Sequence, residues 1–361
     1  MISFFIFIFI LGLLIIVHEW GHFIASRRVG VRVEKFSIGF GPRLFTKVRN
    51  KTEYSLSAIP FGGYVKLAGD NLDEYKGGAD EYFSKPLKQR FKIIFAGAFL
   101  NYIMGFLCFW LIFFIGFPTL TTKVGGLVDG FGAKESGIIS GDKIISIDNK
   151  KTLTWPELQA AVQMRKDKSK VDVMVLREGQ ELNFAVVIRE KPLKDVLGEK
   201  RNIGLLGITP ADEIVQIKYG FFKSFFMGMN KALDLSALTY KALWRMITGN
   251  LSIKDSVTGP LGMYYLTSKA ASIGLVAILH LMAALSISLA IFNLLPLPAL
   301  DGGHIVLLLI EKIRGKALSL RAERIFSNVG MSLLITLAVA VFYNDLIRFG
   351  WIDKVNKLFI R

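Results

Sequence analysis

Residues 15–26 read "IIVHEWGHFIAS" and set His18, Glu19 and His22 inside an apolar run that begins at Met1. An ionisable side chain in a membrane-length segment costs about 2.5–3.5 kcal/mol on insertion scales, so such residues point to a functional site by default. The pattern H-E-x-x-H on a helix puts two imidazoles one turn apart on one face. That spacing suits two ligands of a tetrahedral Zn²⁺, with Glu19 between them as general base on a metal-bound water. The competing explanation is a set of polar side chains packed against a neighbouring helix. In lipid that would leave three titratable groups needing partners, and one metal ion satisfies them together.

The rest of the chain is equally apolar. It has 361 residues, 52% of them hydrophobic, and a mean hydropathy of +0.45, too high for an ordinary soluble enzyme. Four stretches, 1–26, 93–118, one within 270–310 and 326–345, are candidate spans, given that a crossing takes about 20 apolar residues. The expected fold is a polytopic α-helical membrane protein with four transmembrane helices. The opening run has no basic lead and is too long for a cleavable signal peptide. Arg27, Arg28, Arg32 and Lys35 follow the first span, and Lys88, Arg90 and Lys92 flank the start of the second. Lys312, Arg314, Lys316, Arg321 and Arg324 cluster in or beside the 311–325 link. The positive-inside rule therefore puts 27–92 and 311–325 in the cytoplasm, and 119–269, both termini and the 346–361 tail outside. These flanks and their attraction to the lipid bilayer account for much of the net charge of +16, so no nucleic-acid partner is expected. A single cysteine, Cys108, excludes an internal disulfide.

A catalytic zinc takes three protein ligands and keeps one position open. Beyond His18 and His22 the candidates are His280, His304 and Asp301. Asp301 and His304 lie in "NLLPLPALDGGH", residues 293–304, where Pro296 and Pro298 interrupt the helical hydrogen-bond ladder. Broken helix at membrane depth is tolerated only where it is buried in protein or lines a wet cavity. A carboxylate on such a break could reach the metal, but spacing alone does not separate Asp301 from His304. Arg27 begins about 6–8 Å of helix rise beyond His22, which puts the metal near the cytoplasmic boundary.

HEWGH in the first span together with NLLPLPALDGG in the penultimate one resembles the site-2 protease family of intramembrane zinc metalloproteases, most closely its bacterial sigma-E-regulating (RseP-type) group. The resemblance runs along nearly the whole chain. "GFGP" at 39–42 and "PFGGYVKLAG" at 60–69 look like the family's membrane-associated β-hairpin. "FAGAFLN" at 95–101 is similar to its second-span motif, with Ala98 where Pro is usual. "TGPLGM" at 258–263 resembles the stretch before its third span. The resemblance implies Zn²⁺ as cofactor, His18, His22 and Asp301 as ligands, Glu19 as base, and Asn293 in contact with substrate or the developing oxyanion. It also implies residence in the bacterial cytoplasmic (inner) membrane and regulated proteolysis of single-span proteins, such as anti-sigma-factor-like regulators or remnant signal peptides.

A transmembrane substrate hides its amides in its own helix and must be unwound before cleavage. "VRVEKFSIGFG", "EYSLSAIP" and "GGYVKL" read as short strands within 27–92. An exposed edge there, with Gly62, Gly63 and Tyr64, could add an extended substrate by β-augmentation. The alternative is a sheet that only plugs the bundle. Outside, residues 119–192 alternate like a small α+β domain: strand 143–148, helix "WPELQAAVQM", strand "KVDVMVLREG" and its hairpin partner "LNFAVVIRE". They resemble one PDZ-like domain, expected either to bind an extracytoplasmic peptide or protein or to act as a steric filter. Residues 193–269 read as a linker with an amphipathic helix at 219–247 lying on the outer interface; a fifth span is the sharper alternative, and Lys231 and Asp234 in mid-segment argue against it. Two rival functions are a non-enzymatic PDZ-bearing membrane scaffold with a structural metal and an ion-coupled transporter. Three ligands instead of four disfavour the scaffold. The lack of paired broken helices in two halves disfavours the transporter.

Overall fold

The computed structural model describes residues 2–349 apart from 72, 164, 166–168, 196 and 317, so most of the expected C-terminal tail lies outside the described residues. The chain divides into two compact units, residues 1–112 with 222–361 and residues 113–221.

The first unit opens with α1 (Ile2–Arg28), apolar on every face up to Val17, then carrying His18, Glu19 and His22 before it ends on Arg27 and Arg28, a pattern suited to a helix in lipid. β1 (Val33–Arg49) and β2 (Thr52–Leu67) follow. β1 bends where Gly39 takes φ +86°; a Cβ there would meet the Ile59 carbonyl oxygen at 2.7 Å, so only glycine fits. The bend turns two long strands into a sheet of four segments. Val33–Ile38 pairs with Gly63–Leu67 on one side and with Glu53–Leu56 on the other, and Arg43–Arg49 pairs with Thr52–Ser57 beyond. Among the described residues Gly63–Leu67 is thus an edge. Phe23 of α1 buries with Val33, Phe36, Leu67 and Ile93 and fixes the sheet to the Arg28 end of the helix. Ile93 belongs to α2 (Leu87–Ile115). A Cβ on Gly21 would meet the Ala96 carbonyl oxygen at 2.3 Å, so α1 and α2 touch backbone to backbone, as small residues permit.

The second unit contains β3 (Phe117–Leu120), β4 (Val124–Leu127), α3 (Gly132–Glu135), β5 (Lys143–Ile147), β6 (Lys150–Lys151) and α4 (Trp155–Gln163). These are followed by β7 (Lys170–Arg177), β8 (Gln180–Val187), β9 (Arg189–Lys194), β10 (Lys200–Leu205), β11 (Ile208–Pro210) and β12 (Ile214–Ile217). Its main sheet runs β6-β5-β7-β8. Strict alternation buries Val171, Val173 and Val175 of β7 against Ile144, Ile147, Leu158, Val186 and Ile188. The expected limits of 119–192 are too narrow. β12 pairs with β3 and β11 with β4, and Leu206 joins the core, so the stretch expected to be linker closes the unit. These strands are only three or four residues long and their partners lie far upstream, which leaves no local periodicity to read.

The first unit resumes with α5 (Phe221–Ile247), α6 (Ile253–Ser256), α7 (Pro260–Ile273), α8 (Leu275–Asn293), α9 (Asp301–Arg314) and α10 (Leu320–Arg348). The amphipathic helix forms as expected, but a helix lying flat across the end of α2 would touch it once. α5 instead runs antiparallel along α2. Phe225 meets Phe106 and Trp110, a Cβ on Gly228 would strike the Trp110 backbone, and the Ser236 and Tyr102 hydroxyls are 3.1 Å apart. The buried stripe Ser224, Gly228 and Ala232 allows this approach. The long apolar region 270–310 breaks, as its prolines require, into α8 and α9 with residues 294–300 between them. Among the described residues, four helices are long and apolar enough to cross a bilayer: Ile2–Arg28, Leu87–Ile115, Leu275–Asn293 and Arg321–Arg348.

Candidate metal centre

His18 and His22 sit one turn apart on α1, and Asp301 is the first residue of α9. The break before α9 puts it there. Leu300 is extended, Ala299 takes a left-handed φ of +69°, and residues 294–298 fold back over the first turn of α9. A Cβ on Gly302 would meet the Leu295 carbonyl oxygen at 2.1 Å, and one on Gly303 would meet that of Leu297 at 2.2 Å. The two glycines after Asp301 are therefore the condition for the loop to close.

His18 Nε2 lies 3.2 Å from His22 Nε2 and 3.4 Å from Asp301 Oδ2, and His22 Nε2 lies 3.6 Å from the same oxygen. Ligands at 2.0–2.1 Å from a tetrahedral ion stand about 3.3 Å apart, so the triangle has the size zinc requires. The electrostatics agree: Asp301 Oδ2 is buried and accepts no hydrogen bond, a costly state unless a cation meets it. Among the described residues this is the group of His, Cys, Asp and Glu whose ligand atoms converge for a metal ion. The structure thus brings Asp301 to the histidines and not His304, whose side chain lines a separate polar cavity of about 290 Å³ with Tyr82, Arg90 and Glu311. His280 is elsewhere, its ring edge-on to Phe109.

The surroundings hold the imidazoles. His22 Nδ1 bonds the Ile93 carbonyl at 2.9 Å, which leaves Nε2 for a metal. Gly97 of α2 forms the wall: a Cβ there would lie 2.4 Å from His22 Nε2 and 2.8 Å from His18 Cε1. Glu19 points to the sheet, where a Cβ on Gly63 would stand 3.6 Å from its Cγ and the Val65 backbone amide interacts with its carboxyl. Gly62 is buried under the Phe40 ring, and the exposed Tyr64 stacks on that ring. The Asn293 amide, at the end of α8, is 3.4 Å from His18 Nδ1. Sequence reasoning missed three participants: Gly97, Asn101 at the same 3.4 Å from His18 Nδ1, and the buried Arg90–Glu311 ion pair that ties α2 to α9. Gly97 and Asn101 lie in the quoted "FAGAFLN", but nothing in that string says which face meets α1.

Three converging side chains able to hold a metal ion, an adjoining carboxylate and a wall of glycine are the parts a metallohydrolase site requires. Residues 6–337 match the family model for peptidase family M50, and the chain belongs to that family. It is 35% identical over 347 residues to an inferred zinc metalloprotease of Fusobacterium nucleatum, covering 95% of this chain and 98% of that one. It is 29% identical to the regulator of sigma E protease of Haemophilus influenzae, over 95% and 98% of the two chains. Identity to the regulator of sigma-W protease RasP of Bacillus subtilis is 28%, over 95% and 97%. A solved PDZ domain, from an SdrC-like protein of Listeria monocytogenes, aligns with 25% of this chain and 86% of its own at 19% identity and a TM-score of 0.21. The protein is a zinc metalloendopeptidase of the site-2 protease type and an integral membrane protein. The enzyme reading stands over the scaffold and transporter readings.

Proposed function

We propose that the chain cuts single-span membrane proteins at a peptide bond inside the bilayer, near its cytoplasmic face. The observation that carries this is the convergence of His18 and His22 of the apolar α1 with Asp301 at the start of α9, with Glu19 beside them. Zinc, when bound there, supplies a Lewis acid for the scissile carbonyl and makes water a better nucleophile. Glu19 accepts the proton of the attacking water and returns it to the leaving amine. Asn293, at the end of α8, is our candidate to hold the substrate carbonyl as negative charge develops.

The edge Gly63–Leu67 runs past Glu19 with its outer hydrogen-bonding groups unused by another strand among the described residues. An unwound substrate pairing there would present its backbone to the carboxylate. Gly63 gives it room, and Tyr64 packs the edge on Phe40. We place the second unit outside the cytoplasm as a PDZ-like domain. Its groove of about 190 Å³ between α4 and residues 204–208 is lined by Trp155, Leu158, Val162, Leu205 and Ile208, which suits an extended apolar peptide or protein segment. Substrates of the anti-sigma-factor or remnant-signal-peptide kind fit this arrangement, in line with relatives named regulator of sigma E protease and regulator of sigma-W protease.

The test reconstitutes the full chain in vesicles with a single-span peptide and maps the cut by mass spectrometry. A cut within the apolar stretch, abolished by Glu19→Gln at unchanged zinc content, is expected. Cleavage confined to soluble loops, or surviving Glu19→Gln, would reject the proposal.

A further inference from the structure

Two carboxamides, from different helices, converge on one nitrogen of His18. Asn101 of α2 and Asn293 of α8 each stand 3.4 Å from Nδ1, on the far side of the ring from the Nε2 that meets His22 and Asp301. When Nε2 faces a metal, the neutral ring carries its hydrogen on Nδ1, so Nδ1 needs an acceptor, and the Gly97 backbone carbonyl that bonds His18 is the rival to the amides. The two amides are not equivalent. Asn101 is wholly buried, and its Oδ1 has no hydrogen-bond partner. Its main chain is pinned from α8, where the Ser286 hydroxyl, itself fully buried, donates to the Asn101 carbonyl at 2.7 Å. Asn293 is half-buried at the loose end of α8.

We infer that Asn101 is the positioning residue for His18, its side-chain oxygen accepting the Nδ1 hydrogen, which leaves Asn293 available to substrate. The oxygen and nitrogen of a carboxamide exchange places by a half-turn about its last torsion. That turn brings the orphaned Oδ1 to Nδ1 and removes a donor–donor encounter at no cost in shape. It also gives His18 the counterpart of what His22 receives from the Ile93 carbonyl. A buried acceptor on a pinned helix fixes the ring before zinc arrives, so the ordering cost does not fall on metal binding.

This rests on the metal site proposed above, and its test separates the two. Zinc affinity of the purified full chain is measured by competition with a chromophoric chelator, alongside kcat and KM for the peptide. Asn101→Leu, near in size but without an acceptor, should weaken zinc about 10- to 100-fold. Asn101→Asp, which keeps an acceptor in place, should stay within a few-fold of native, whereas a residue needed only for packing would tolerate Leu better than Asp. Asn293→Leu should bind zinc normally and lose activity. Native zinc affinity in Asn101→Leu, or equal weakening in Asn293→Leu, overturns the inference. Should Asn101→Leu not fold, Asn101→Ala gives the same two readings. His18→Ala is the control: if it retains zinc, the metal site itself is misplaced.

Discussion

Two aspartates, one in each unit, are buried in opposite ways. Asp142 is 1% exposed, and its oxygens accept from the Ile139 backbone N–H at 2.9 Å and from Arg177 Nε and Nη2 at 2.7 Å each. Burial pushes its carboxyl up, but the Arg177 and Ile139 bonds outweigh burial and hold it below the usual carboxylate range. Asp301 Oδ2 is buried with no donor and stands against two imidazole nitrogens. Both residues pay the desolvation cost of a carboxylate. In the second unit the chain itself answers that cost and gains a tie between strands. In the first unit the chain leaves the cost unanswered, and that is how a binding site differs from a structural ion pair.

Removing each carboxylate is the sharpest way to break the comparison. Asp301→Ala should lose stoichiometric zinc and all measurable peptidase activity, while His304→Ala keeps its zinc. The reverse pattern in metal analysis would assign the third ligand to His304. Next in size, Glu19→Gln should cost about 10²- to 10⁴-fold in kcat with metal content unchanged. A matching loss of zinc would make Glu19 a ligand and not a base.

Arg90 lets the comparison be repeated inside the first unit, because it pairs with Glu311 as Arg177 pairs with Asp142, although its Nε is left without a partner. Arg90→Ala should destabilise the first unit by up to about 3 kcal/mol, since it strands a half-buried carboxylate. Thermal unfolding in detergent would read this, and Arg90→Ala with Glu311→Leu should recover part of it.

The smallest effect is expected at Asp142. Arg177→Ala should cost about 2–3 kcal/mol, seen as faster hydrogen exchange of the β5 and β7 amides in the full chain. The sign of its pH dependence follows from the lowered carboxyl. The contribution is complete above the unfolded aspartate value of about 3.9 and disappears as pH falls through the lower folded value. In the variant burial is no longer answered and lifts the Asp142 carboxyl, so the penalty should be largest at neutral pH and shrink as pH falls and the carboxyl takes up a proton. A penalty unchanged from neutral pH to below about pH 4 would show that Arg177 does not answer the charge of Asp142.

The spans, HEWGH and the break around LPLPALDGG were legible because each follows from a local rule. An apolar run of membrane length is a helix, H-E-x-x-H sets two imidazoles on one face, and two prolines end a ladder. The closing strands β11 and β12 were not legible, since three or four residues carry no period and their partners are remote. The course of α5 was misjudged for a related reason: its amphipathic pattern shows an apolar face, and whether that face meets lipid or α2 depends on the small-residue stripe finding a neighbour. Gly97 and Asn101 were visible as letters but not as neighbours of the His18 and His22 rings.

The order of the apolar helices and the placing of His18 and His22 on one face with Glu19 between them were set by the sequence alone, because periodicity and one-turn spacing are properties of a single helix. The choice of Asp301 over His304 and the placing of two carboxamides behind His18 belong to the tertiary structure. Those depend on how α1, α2, α8 and α9 approach one another, and that approach is fixed by backbone contact at Gly21, Gly97, Gly302 and Gly303, where the absence of a side chain leaves no periodic signature.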